Sequence, residues 1–413
     1  MKKNVWILNH YAGNTYFDQG GRHYNFAKYL KQAGYEPVVF CANSKHGAAE
    51  CFFETDALWT EHTAQEIQTP FVYVKTRTYA NNGKQRVLNM VDFYRNVKKT
   101  AKEYAAQHGK PDVIYASSVH PLTLVAGIQL AKKFGVKCIC EVRDLWPESI
   151  VEYSSRLTKD NPLIKLLYAG EHWIYKKADA LIFTFEGGYR YIEEKNWEKD
   201  VPKEKVHYIN NGVDLEQFDH NKERWQIPDE DLENPDIFKV VYTGSIRRVN
   251  NLGMLLDAAK QVEDPRIKFL LWGAGDEVET LRRRVEEEHI QNVVFKGRVD
   301  KKCVPYIVSR ADINFFHGDD IPLFRFGISP NKLFEYFASG RPVLMDGPAS
   351  YNPVERFSCG FLGVGTGQLL ENLKKAADLP AEAYEALCSQ SRKAAEEYDF
   401  RNLTKKLIAI IER

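Results

Sequence analysis

From residue 4 to about residue 345, short runs rich in Val, Ile, Tyr and Phe alternate with longer amphipathic stretches. A strand covered on both faces reads as a short continuous apolar run, and a helix covered on one face repeats its apolar residues with a 3.6-residue period. Alternation of the two is the βαβ rhythm, which builds parallel sheets flanked by helices. Strands are expected at 4–8, 37–41, 71–75, 112–116, 137–142 and 179–184. Helices are expected from Arg22 to Ala33, stopped by Gly34, and after His120-Pro121, where Leu124, Val125, Ile128 and Leu130 share a face. The rhythm pauses between 200 and 240. Asp219 to Asp236 holds Glu223, Asp229, Glu230, Asp231, Glu233 and two prolines, and reads as an exposed acidic connection. It then restarts: strands at 238–243, 268–272, 293–295, 312–316 and 342–345, with helices at 251–261 and 277–288. Two consecutive Rossmann-like units follow, 1–203 and 204–393.

Length agrees, since 413 residues suit two or three domains at about 100–200 residues each. With 44% hydrophobic and 27% charged residues, global disorder is excluded. Lys plus Arg number 57 against 56 Asp plus Glu, a formal net charge of +1 that argues against a nucleic-acid partner. No apolar run approaches the roughly 18–20 residues needed to span a bilayer. Met1-Lys2-Lys3 is followed by an apolar run, Val5 to Leu8, shorter than a signal core of about 7–15 residues. A cytoplasmic protein is expected. The seven cysteines form no disulfide framework. Cys138 and Cys140, in a strand-like run, are assigned to opposite sheet faces and to structural burial.

Anions in open α/β sheets favour glycine turns that lead from strands into helix N-termini. Gly20-Gly21-Arg22 is one such turn, with Arg22 a candidate phosphate contact beside the reading as a plain tight turn. Tyr242-Thr243-Gly244-Ser245-Ile246-Arg247-Arg248 is a second, and its adjacent guanidinium groups suit a phosphate clamp. Gly273-Ala274-Gly275 is a third, without the last glycine of a dinucleotide fingerprint. In Ser329-Pro330-Asn331-Lys332-Leu333-Phe334-Glu335, Ser329 is placed as the N-cap of a helix begun by Pro330 and ended by Gly340. Its first turn presents backbone N–H groups and Lys332 to an anion. Glu335, three residues on, shares that face and suits two ribose hydroxyls.

This stretch, with Asn210-Asn211-Gly212-Val213-Asp214 and Gly297-Arg298-Val299, resembles the retaining glycosyltransferases of family 4. Ser118-Val119-His120-Pro121 and Glu141 to Ser149 resemble a subgroup from bacterial capsule, O-antigen and exopolysaccharide synthesis. The resemblance implies an α/β GT-B fold, with two Rossmann-like domains facing across a cleft and a terminal helix, 394–413, packed back on the first. It implies a nucleotide-sugar donor, UDP-linked by preference, a glycan or lipid-linked acceptor, and transfer without cofactor or metal. Carried over by position, Glu335 holds the ribose. Arg248 and Lys332 hold the diphosphate, the segment Gly297 to Val299, with Arg298, holds the base through its backbone, and Gly244, Arg247, Gly273, Ser329 and Asn331 complete the donor site. Gly20 and Gly21 close over the phosphates, while His120 and then Asp144 lie at the reacting centre. His120 as a helix cap and Asp144 as a partner of Arg143 are the plainer readings. The family's first glutamate, eight positions before Glu335, is replaced by Gly327. Asp319-Asp320 resembles the acid pair of metal-dependent transferases, and no ligand role is expected for it. A nucleotide-sugar 2-epimerase, or an inactive sugar-nucleotide-binding partner, are the competing readings on the same fold.

Basic residues gather between 75 and 102: Lys75, Arg77, Lys84, Arg86, Arg95, Lys98, Lys99 and Lys102. Leu88, Val91, Tyr94 and Val97 interleave at helical spacing. Two readings stand, a solvated helix packing that stripe inward, or a surface for an acceptor or for the inner face of the cell membrane.

Overall fold

The computed structural model describes residues 3–81, 83–118, 120–154, 157–318 and 320–413. It divides into one unit of residues 1–210 and 403–413 and a second of 211–402.

The first unit is built on β1 (Asn4–Leu8), β2 (Glu36–Ala42), β3 (Trp59–Ala64), β4 (Thr69–Val74), β5 (Val113–Ser117), β6 (Lys137–Val142), β7 (Ala180–Phe183) and β8 (Val206–Tyr208). Its helices are α1 (Gly13–Asp18), α2 (Arg22–Gln32), α3 (Lys84–His108), α4 (Pro121–Phe134), α5 (Glu148–Tyr153), α6 (Pro162–Lys177) and α7 (Gly188–Glu194). The sheet runs β3-β4-β2-β1-β5-β6-β7-β8, parallel except for β3, which pairs antiparallel with β4. Because β8 pairs with β7, this unit extends past the expected boundary at 203. The edge strand β3 escaped the sequence reading, since Trp59-Thr60-Glu61-His62 lacks a continuous apolar run. Strand order reverses between β1 and β5, so the loops leaving those two strands diverge to opposite faces and leave a crevice at their carboxyl ends.

The second unit has a parallel sheet ordered β11-β10-β9-β12-β13-β14. Its strands are β9 (Phe238–Thr243), β10 (Ile267–Trp272), β11 (Val293–Gly297), β12 (Ile313–His317), β13 (Val343–Asp346) and β14 (Gly360–Gly363). The helices are α8 (Leu215–Arg224), α9 (Glu230–Glu233), α10 (Gly253–Ala259), α11 (Val278–Glu287), α12 (Val304–Arg310), α13 (Asn331–Ala338), α14 (Pro353–Phe357), α15 (Thr366–Ala377) and α16 (Ala381–Glu397). The order reverses between β9 and β12. A core of Val240, Leu255, Phe269, Leu271, Phe315 and Leu344 lies between sheet and helices. The stretch expected as one helix over 394–413 is broken. Its first part ends α16, and α17 (Phe400–Glu412) follows Asp399, with residues 403–413 in the first unit.

Two expectations are corrected here. The acidic stretch 219–236 is no bare connection: it forms the end of α8 and all of α9, and Asp229 and Asp231 hold Lys296 at 2.8 and 2.6 Å. Lys296 and Lys268 project from β11 and β10, so the acids are counter-charges to the sheet. Cys138 and Cys140 share a face of β6, as a two-residue period requires, with their sulfurs 3.7 Å apart. Both are buried thiols.

Candidate functional site

At the carboxyl ends of β9, β10 and β11 the glycine turns interlock backbone against backbone. A Cβ on Gly273 would fall 1.8 Å from the carbonyl oxygen of Gly244, and one on Gly275 1.9 Å from that of Ile246. Only glycine fits these contacts, which is why the fingerprint-like Gly-x-Gly recurs without being a dinucleotide motif. Gly273 N–H donates to the Gly297 carbonyl at 2.8 Å, tying the third turn to the other two.

α13 enters this rim beside Gly244. Lys332 Nζ donates to Tyr242 Oη at 2.7 Å and lies 4.1 Å from the centre of that ring. Burial lowers its pKa to about 8, against the pull of Glu335. Glu335 is itself raised by burial, offset by Lys301 and Lys332. A lysine and a carboxylate one turn apart, both short of water and with no direct bond between them, form a site whose polar groups remain available to a ligand. Ser329 does not cap α13, which Pro330 precedes. Its hydroxyl instead accepts from Asn211 N–H at 3.0 Å, and its carbonyl from Asn211 Nδ2 at 2.7 Å. Asn331 opens the helix at the surface. Arg247 and Arg248 stand exposed after Gly244, and Arg298 is exposed after Gly297, whereas Val299 packs beside Trp272 and Tyr306. The structure thus gathers Gly244, Gly273, Gly297, Lys332 and Glu335 at one rim, with Arg247, Arg248 and Arg298 on its exposed loops. Asp319 lies outside the described residues.

In the first unit the β1–β5 crevice holds His120. Buried at the N-cap of α4, it makes no side-chain cap bond, which removes the plainer reading. Burial lowers its pKa to about 3, with Arg86 adding to the effect. A cavity of about 20 Å³ is lined by His120, Ser118, Asp144, Trp146 and Glu171 among others. Crowding by the surrounding protein raises the Asp144 carboxyl, against Arg143. Glu171, fully buried, is pushed up to about 8 by burial, although the Tyr175 and Tyr191 hydroxyls both donate to it at 2.7 Å. Sequence reasoning missed Glu171, yet it falls in phase with Ile164 and Tyr175 on the covered face of α6. It also missed His10, next to His120.

Gly21, with φ of 90°, makes the turn into α2 that a side chain would strain, and Gly20 is buried before it. Arg22 overturns the expectation of a phosphate contact. Its guanidinium lies in the core, donating to Glu141 at 2.7 and 2.5 Å and to the carbonyls of Asn210 and Ile209 at 2.6 and 2.9 Å.

The basic stretch divides. Lys75 donates to the Asp56 carbonyl, Arg77 pairs with Asp92 at 2.6 Å, and Arg86 donates to Tyr11 Oη at 3.3 Å. Lys84 and Arg95 are exposed, and Lys98 donates to Gln129 at 2.9 Å. The covered stripe of α3 is Met90, Phe93, Val97, Ala101 and Tyr104, so Leu88, Val91 and Tyr94 stay half-buried on its flank. Arg95, Lys98, Lys99, Lys102 and Lys133 line an open depression of about 620 Å³. There the Lys102 charge lowers the pKa of Lys133.

Two parallel-sheet units with glycine turns and cations at the strand ends are the pattern of a GT-B glycosyltransferase. Solved structures share the fold over nearly the whole chain: Anabaena HepE in complex with UDP and glucose (TM-score 0.63, 13% identity, 99% of each chain) and the E. coli trehalose-6-phosphate structure bound with UDP-2-fluoro glucose (TM-score 0.72, 11% identity, 99% of each). Residues 22–217 match the model of Glycosyltransferase Family 4 and residues 237–349 that of Glycosyl transferases group 1. The two matched regions together support a glycosyltransferase of the family 4, GT-B type. Bacillus subtilis (strain 168) TuaH, named as a teichuronic acid biosynthesis glycosyltransferase, is 28% identical over 207 residues, and this match spans about half of its length (49%) and 50% of the present chain. Among the described residues no helix is long and apolar enough to cross a membrane.

Proposed function

We propose that the protein is a retaining glycosyltransferase that moves a sugar from a UDP-sugar to a lipid-linked glycan acceptor, in the synthesis of a bacterial surface polysaccharide on the cytoplasmic side. The observation that carries this reading is the β9–α13 rim, where Lys332 lies beside a glycine turn that admits close backbone approach and Arg247 and Arg248 are exposed on the loop that follows. UDP is the favoured nucleotide because structures sharing this fold hold it.

In this mechanism Glu335 accepts hydrogen bonds from two ribose hydroxyls and the Gly297–Val299 turn receives the base. Lys332, Arg247, Arg248 and the first turn of α13 meet the diphosphate. Charge builds on that diphosphate as the glycosidic bond breaks, and fixed cations in a site short of water stabilise it most at that moment. The acceptor hydroxyl attacks from the face the diphosphate leaves and passes its proton to the departing phosphate oxygen, which retains the anomeric configuration. His120 and Asp144 are assigned to the reacting sugar, and the basic depression of α3 and α4 to the anionic part of the acceptor or its membrane. No step calls for a metal.

A thermal-shift screen of nucleoside diphosphates and nucleotide-sugars tests the donor, since a ligand that binds only the folded state raises Tm. UDP and one UDP-sugar are expected to raise it in the wild type and not in Glu335→Ala. Epimerised sugar formed without an acceptor would defeat the transferase reading in favour of a 2-epimerase.

A further inference from the structure

The reversal of strand order between β1 and β5 brings two histidines together. His10 Nδ1 lies 2.6 Å from His120 Nε2, the rings are edge-on at 83°, and each residue is 1% exposed. Burial holds both neutral, His10 well below its ordinary value, with the neighbouring His120 adding to the effect. A neutral imidazole carries one N–H. The direction of the shared bond therefore decides which outer nitrogen is bare. Both outer nitrogens, His10 Nε2 and His120 Nδ1, are buried without a partner.

Asn89 breaks the symmetry. Its NH2 donates to the Arg77 carbonyl at 2.5 Å and to Ser44 Oγ at 2.8 Å, and a carbonyl can only accept, so the orientation of the amide is fixed. Its oxygen is left over, buried and unpaired, and acts on His10 to favour the hydrogen-bearing form. The hydrogen of His10 then belongs on Nε2. His10 Nδ1 is bare and accepts from His120 Nε2–H, so His120 Nδ1 becomes a buried acceptor with nothing to accept from. The cavity beside His120 has room for about one water or hydroxyl oxygen.

We propose that His10 is a positioning residue: it fixes His120 as the Nε2–H tautomer and so presents His120 Nδ1 as an acceptor for one hydroxyl of the sugar substrate. The ligand half of this inference rests on the glycosyltransferase reading; the tautomer half does not.

Nitrogen-15 NMR of the imidazoles in the full chain reads the tautomer directly. His120 is expected as Nε2–H in the wild type and in His10→Asn, where an amide oxygen can take the place of the accepting nitrogen. In His10→Phe, which keeps the ring stacking on Phe93, it should shift toward Nδ1–H. UDP-sugar affinity should fall about tenfold in His10→Phe, as for one lost hydrogen bond, and recover in His10→Asn, while UDP affinity stays constant. An Nδ1–H tautomer in the wild type overturns the proposal, whatever the kinetics. Unchanged UDP-sugar affinity in a folded His10→Phe overturns the hydroxyl-acceptor role. A wild type that binds no nucleotide-sugar defeats the transferase reading, and the tautomer is still judged by NMR alone.

Discussion

In the first unit Arg22, which follows the Gly20-Gly21 turn, points into the core and is saturated by Glu141 and two carbonyls. In the second unit Arg247 and Arg248, which follow Gly244 after β9, stay exposed. The two segments read alike in sequence, a glycine and then arginine in the stretch that follows the unit's first strand, although α1 intervenes in the first unit. What separates them is the far partner. β6 carries Glu141, buried, which takes further hydrogen bonds from Tyr115 and from Ser117 at 2.7 Å, and this acid draws Arg22 inward. A cation after a glycine turn is therefore available to a ligand only where no buried acid claims it.

The largest effect expected from this contrast is structural. Burial pushes the Glu141 carboxyl up, but Arg22 and the nearby cations outweigh it and hold the group at about 2. A carboxylate with a lowered native pKa stabilises the fold above its ordinary value near 4.5 and loses that contribution as pH falls toward 2. Glu141→Ala leaves Arg22 charged and buried, at a cost of about 3–5 kcal/mol. Thermal denaturation should show Tm lowered by roughly 10 °C. A shift under about 2 °C would mean that water reaches Arg22.

Arg248→Ala is the counterpart. Tm should stay within about 1 °C, while Kd for UDP, read by calorimetry, rises roughly 10–100-fold, the worth of one or two charge-assisted hydrogen bonds. Loss of stability with unchanged UDP affinity would make the two arginines alike after all.

The contrast also marks how far the sequence was legible. Strands buried on both faces, and helices with Gly34 or Gly340 at their ends, declare themselves through local patterns. The rim of Gly244, Gly273, Lys332 and Glu335 was legible because its members lie in short motifs. Arg22 was misread because its partner is 119 residues away, and His10 and Glu171 were missed because one polar residue in an apolar phase carries no sign of what it will meet. Ser329 has the chemistry of an N-cap, but Asn211 takes up its hydroxyl. Such pairings belong to the topology and not to any local run.

Lys332 gives a smaller effect that depends on pH. In the free protein it is charged below about 8 and neutral above, because burial disfavours the charge. A bound diphosphate favours the charged form, so UDP affinity should be flat below pH 8 and fall by up to about tenfold per unit above it. Lys332→Met should bind UDP weakly with no such slope. A slope that persists in Lys332→Met would assign the proton to another group.

The smallest effect concerns the basic depression of the first unit, where cations crowd each other as they do on the second unit's loops. Lys102 is exposed and lowers the pKa of Lys133, so like charges are held close together in a depression where Asp92 stands against five cations. Lys102→Ala should leave Tm unchanged or slightly higher, because it relieves repulsion. Binding to vesicles containing phosphatidylserine at low salt should weaken by about 1 kcal/mol, roughly fivefold, and the difference should vanish at high salt as screening removes it. Equal vesicle binding by variant and wild type would make this face a solvated one.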